Sequence, residues 1–157
     1  MESSRAETIE ILLVSVNRLI RTAVQATGNT TSPAVWRTLS ILTTDGPLRI
    51  GDLARASRVA QPTMTKLLRH LVEDELVTRI ADVDDSRAWL IAVAPKGTRA
   101  LAGWKAELAD ALGGLFDDLD EGEWRVLDHA AQLLAARVDS RSADVAEAEA
   151  EAAEVTA

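Results

Sequence analysis

Cysteine is absent from all 157 residues, which excludes disulfides, a thiol redox switch and thiolate metal ligation. Tyrosine is absent too, and four Trp with one Phe are the whole aromatic complement. A core must therefore be built mainly from Leu, Ala and Val, which points to helices. No apolar run approaches the ~18 residues that span a membrane. The opening MESSRAETIE is polar and acidic, unlike a secretory signal, so no membrane partner and a cytoplasmic location are expected. The two histidines, His70 and His129, are too far apart in sequence to form a helical ligand pair. G-x-S-x-G, G-x-G-x-x-G and P-loop spacings are missing as well. No catalytic residue, no metal site and no cofactor is expected, so the chain reads as a non-enzyme.

Basic residues are outnumbered, and the net charge is −8. That argues against a nucleic-acid partner until the charge is located. Residues 139–157 hold six acidic residues against Arg141 alone, whereas Leu48 to Lys96 holds eight Lys/Arg against seven Asp/Glu. Salt screens charges beyond about 8 Å, so the local balance counts for more than the total.

The stretch from Gly51 to Val93 organises the chain. In Gln61 to Leu76, Met64, Leu67, Leu68, Leu71 and Val72 recur as one apolar stripe of an α-helix. The other face carries Gln61, Thr63, Thr65, Lys66, Arg69 and His70, all suited to phosphate or base edges, with no carboxylate before Glu73. Upstream, GDLARASR predicts a short helix with Leu53 and Ala54 inward, then a tight turn at Val59-Ala60. Downstream, Leu76 to Ala81 and Ala88 to Ala94 alternate as strands, with Trp89, Ile91 and Val93 on one face. Between them lies a polar turn in which Asp82 and Asp84 read as ordinary turn residues. Helix, turn, helix and hairpin make a winged helix-turn-helix.

These residues resemble the MarR-type bacterial transcriptional regulators. The resemblance rests on Leu53-Ala54, Pro62 to Leu67, Leu71-Val72-Glu73, Leu76 to Arg79, Asp85-Ser86-Arg87 and Pro95-Lys96-Gly97, and it covers about Ala6 to Val138. Ala60 stands where a Ser or Asp often caps the recognition helix, and Ala94 where a Thr usually follows the wing. The resemblance implies a homodimer on a pseudo-palindromic double-stranded DNA operator, usually as a repressor. It also implies that Arg87 enters the minor groove, with Asp85 holding the hairpin or bracing Arg87, and Arg55 or Arg58 on the DNA backbone. Many such dimers release DNA on binding a small, often aromatic effector. Trp36 and Trp104 are candidate lining residues for its pocket, with a plain core role as the competing reading. The rival function is a winged helix serving as a protein-interaction or adaptor module, since fold does not fix function.

The remaining chain completes an α+β, predominantly helical fold. Ala6 to Thr27 predicts a first helix ending at Gly28, with an apolar face broad enough for a partner chain. Ser32-Pro33 starts a second helix that runs to about Thr44, and Leu48-Arg49-Ile50 predicts a third, edge strand. Pro95-Lys96-Gly97 opens a long helix carrying Leu101, Trp104, Leu108, Leu112 and Leu115, with a kink at Gly113-Gly114. Asp120 to Glu123 fits a capping box before a last helix through Trp124, Leu127, Ala131, Leu134 and Val138. The expected organisation is dimerisation helices in 1–30 and 95–140, intertwined between two copies, a DNA-binding lobe in 31–94, and an acidic Ala/Glu tail, 141–157, that is disordered or a frayed helix.

Overall fold

A computed structural model describes residues 4–85 and 87–155, with side chains as far as Asp139. Ser86 of the Asp85-Ser86-Arg87 triplet and the side chains of the acidic tail lie outside the described residues. The chain divides into two compact units, Met1–Gly114 and Leu115–Ala157.

The first unit begins with α1 (Arg5–Thr27). It starts on a capping box in which Ser4 Oγ accepts the Glu7 amide at 3.2 Å and Glu7 accepts the Ser4 amide at 2.7 Å. It ends where expected, at Gly28 with φ 59°, a conformation that costs glycine little. Helix α2 (Pro33–Thr44) has Ser32 as its cap and Pro33 at its first position. Then come β1 (Leu48–Arg49), α3 (Ile50–Ala56), α4 (Gln61–Glu73), β2 (Val77–Ala81), β3 (Trp89–Val93) and α5 (Pro95–Leu112). The three strands form an antiparallel sheet in the order β1-β3-β2, with Leu48 opposite Ile91 and Val77 opposite Val93.

Within this unit one core joins α2, α3, α4, the sheet and α5. Met64, Leu68 and Leu71 of α4 are buried against Leu39 and Leu42 of α2, Leu53 and Ala54 of α3, Val77, Ile91 and Leu101. Leu67 and Val72 are partly buried beside them, so the stripe read from the spacing of α4 is the buried face. Burying a Leu or Met side chain is worth roughly 1.5–3 kcal/mol, and this fixes the rotation of α4 about its axis.

Several expectations are corrected. The turn between α3 and α4 pivots on Arg58, whose φ is 54°, and not on Val59-Ala60. Trp89 shares a strand face with Ile91 but is 57% exposed, because the hairpin projects past the core at that end. Helix α5 stops at Leu112, and Gly113–Leu115 form a 3-10 turn, so Leu115 is not on the same helix. Apart from these corrections, α1 buries only Ala23 and leaves Ile9, Leu13, Val16 and Ile20 exposed in the single chain.

Gly97 is required by packing. A Cβ there would collide with the carbonyl oxygen of Leu76, the same oxygen that accepts the Ala94 amide at 2.9 Å. The first turn of α5 thus lies directly on the root of the hairpin.

In the second unit α6 (Glu121–Val155) starts on the expected cap. Asp120 Oδ1 accepts the Gly122 and Glu123 amides at 2.7 and 2.8 Å, and Glu123 accepts the Asp120 amide. The helical backbone runs on through the tail to Val155.

Candidate nucleic-acid interface

The buried stripe of α4 forces its other residues outward, and Gln61, Thr63, Thr65, Lys66, Arg69 and His70 are all exposed. At 100° per residue, Lys66 points almost directly away from the core and Arg69 roughly 50° off that direction. Thr63 and His70 flank them on one side, Gln61 and Thr65 on the other. The face from Gln61 to Arg69 is about 12 Å long. Two of its groups are already engaged within the helix. Thr65 Oγ1 donates to Gln61 O at 2.9 Å, and His70 Nδ1 lies 3.5 Å from Glu73 Oε2. Among the described residues, no hydrogen bond or ion pair engages the Lys66 ammonium or the Arg69 guanidinium. Ala60 and Ala94 begin α4 and α5 without a side-chain cap, so the α4 N-terminus presents open amides and the positive end of its dipole.

Arg55 and Arg58 lie at the α3 end of this surface. Arg55 pairs with Asp52 at 3.2 Å and is largely exposed. The Arg58 amide donates to Arg55 O at 3.1 Å, leaving its side chain exposed.

The wing loop is ordered by carboxylates. Asp85 Oδ1 accepts the Arg87 amide at 3.0 Å, and Asp85 O accepts the Ala88 amide at 2.9 Å. Asp85 therefore holds the hairpin, and the exposed Arg87 side chain projects from the turn it stabilises. Asp82 is not an ordinary turn residue. Its side chain is 5% exposed, and its Oδ2 accepts Arg49 Nε at 2.8 Å with Nη2 at 2.5 Å. Its Oδ1 accepts the Asp84 amide at 3.0 Å. The Asp84 amide and then the Arg49 guanidinium hold the Asp82 carboxyl below the usual range, and Asp82 in turn raises Arg49. Local spacing could not reveal this pair, because the partners are 33 residues apart.

Trp36 and Trp104 come together from α2 and α5. Their rings stack with centroids 4.9 Å apart and planes 10° apart, and they line a cavity of about 580 Å³ with Ile20, Arg21, Val24 and Arg37. Arg37 has a second contact, donating from Nη1 to the carbonyl of Ser57 at 3.4 Å, next to the Arg58 pivot. Among the described residues no group of three or more His, Asp or Glu is placed to hold a metal ion. No helix among them is long and apolar enough to cross a membrane.

Residues 31–89 match the family model described as MarR family. The chain is 31% identical over 114 residues to a helix-turn-helix-type transcriptional regulator of Mycobacterium tuberculosis, covering 71% of this chain and 80% of that protein. An uncharacterised regulator of the same type from Mycobacterium bovis matches equally well. Among solved structures, a transcriptional regulator from Thermotoga maritima superposes with a TM-score of 0.71 at 22% identity, covering 88% of this chain and 99% of that one. A MepR variant from S. aureus bound to an oligodeoxyribonucleotide gives 0.58 at 19% identity, covering 87% and 99%. These structural likenesses establish the fold.

Proposed function

Because this chain belongs to the MarR family of transcriptional regulators, we propose that it represses transcription by binding a pseudo-palindromic DNA operator as a homodimer. The observation that carries this reading is the α4 face. Lys66 and Arg69 stand outward and uncompensated on a helix whose rotation the core fixes, beside a hairpin that projects Arg87. On this reading Lys66, Arg69, Thr63, Thr65 and Gln61 meet the major groove, with His70 at its edge. Arg87, braced by Asp85, enters the minor groove, and Arg55 or Arg58 holds the backbone.

Ile9, Leu13, Val16 and Ile20 on α1 are exposed in the single chain, and an apolar row of that length supports a partner chain over it. Sedimentation should give a particle of about twice 16.9 kDa. A monomer would remove the operator symmetry from the reading.

The deciding experiment selects bound duplexes from random-sequence DNA and then titrates salt. Each neutralised phosphate contributes about 0.9 to the slope of log K against log salt. Absence of any enriched duplex would favour the adaptor reading.

A second observation supports release by a small aromatic effector. The cavity beside the stacked Trp36 and Trp104 includes Arg37, which also holds the Ser57 carbonyl in the turn ahead of α4. A ligand that draws the Arg37 guanidinium inward would loosen that turn. Screening aromatic acids for loss of duplex binding tests it, with Arg37→Met expected to blunt the response.

A further inference from the structure

Asp82 follows directly on β2, and Arg49 reaches it from the strand at the opposite edge of the sheet. Register shows how. Arg49 lies opposite Leu90, and Leu90 opposite Ile80, so the guanidinium crosses β3 on one face to meet the carboxylate two residues beyond Ile80, just past the end of β2. Both ends of this clasp matter to the proposed interface. Arg49 is the residue on which α3, the first helix of the helix-turn-helix, begins. Asp82 opens the loop that carries Arg87, and its second oxygen shapes that loop through the Asp84 amide. The backbone ladder of β2 and β3 fixes the strands against each other, yet β1 contributes only two residues to the sheet. The charge-assisted fork between Arg49 and Asp82 is the side-chain tie from the start of α3 to the wing loop.

We propose that Arg49 and Asp82 are positioning residues for DNA binding: their pair sets the orientation of the wing loop against the helix-turn-helix and so places Arg87. The proposal rests on the reading of the wing as a DNA contact. Asp82 touches no DNA on this account, since a carboxylate near phosphate is repelled; it acts through Arg49 and the loop.

That repulsion makes the test directional. Asp82→Asn keeps the size of the side chain and an acceptor for the Asp84 amide, but removes a negative charge from the DNA-facing lobe. Charge alone therefore calls for tighter binding, and lost positioning for weaker binding. The probe is a duplex selected by the wild-type protein from random sequence, competed at fixed salt. Asp82→Asn and Arg49→Gln should each weaken binding about five- to tenfold. In an Arg87→Ala background neither should weaken it further, because there is no longer an arginine to place.

Tighter or unchanged binding by Asp82→Asn, or an effect that simply adds to that of Arg87→Ala, overturns the proposal. If Arg87→Ala itself binds like wild type, the wing reading fails and the proposal falls with it. That outcome is distinct from an impaired Arg87→Ala beside a neutral Asp82→Asn, which removes the pair alone. Should Asp82→Asn fail to fold, Arg49→Lys keeps the charge without the planar fork. It should give a smaller loss, again only when Arg87 is present.

Discussion

The recognition helix and the wing are held by different forces. Helix α4 turns three fully buried side chains, Met64, Leu68 and Leu71, into a shared core. The end of the wing has almost no core. Val83 is 95% exposed and Trp89 57%, and the loop keeps its shape through backbone amides on Asp82 and Asp85 and through the Arg49 clasp. Apolar burial is non-directional and insensitive to pH, whereas hydrogen bonds to ionised carboxylates are directional and titrate. The helix should therefore hold its place under conditions that loosen the wing.

The largest expected effect breaks the helix side of this contrast. Leu68→Ala should cost about 2–5 kcal/mol of stability, seen as a lowered denaturation midpoint for the first unit as a whole. A loss confined to DNA affinity would show that α4 is not anchored as its burial implies. Next, Gly97→Ala tests the root of the wing. The new methyl has to displace the Leu76 carbonyl, and overpacking of this kind costs about 1–3 kcal/mol. Unchanged thermal stability would mean that the close approach of α5 relaxes freely.

Arg69→Ala against Arg87→Ala sharpens the comparison at the level of recognition. A bidentate contact to a base edge is worth about 1–3 kcal/mol of discrimination, so Arg69→Ala should narrow the gap between a selected and a scrambled duplex. Arg87→Ala should weaken both while largely preserving the preferred sequence, because the minor groove reports chiefly A·T against G·C and groove width. Equal loss of sequence preference in both variants would erase the division of labour between helix and wing.

The smallest effect is in pH. The Asp82 carboxyl is held below its ordinary range by the Asp84 amide and by Arg49. Its contribution is present in full above the unfolded-state value of about 3.9 and is lost as pH falls through the lower folded-state value. Amide exchange at Asp84 and neighbouring loop residues should accelerate below about pH 4, relative to the trend for exposed amides, while Leu68 and Leu71 stay protected. Simultaneous loss of protection in both regions would mean that the wing is as firmly anchored as the helix.

Much of this was legible in residue order, because helices and hairpins are specified by neighbours within a few positions. The spacing of Met64, Leu68 and Leu71 determined which face of α4 is buried, and hence which residues it presents outward. Ser32-Pro33, Gly28 and the Asp120–Glu123 box marked helix ends through local hydrogen bonds and φ preferences. The Asp85-Ser86-Arg87 triplet marked the hairpin loop. Alternation along β3 placed Trp89 with Ile91, but alternation assigns a face and not where the core stops, so only the fold shows Trp89 in solvent. The stacking of Trp36 on Trp104, the need for glycine at position 97 and the Arg49–Asp82 clasp were likewise decided by tertiary structure. Each depends on groups brought together by the packing of α5 and by strand register, and no periodicity within one segment encodes a distance to another.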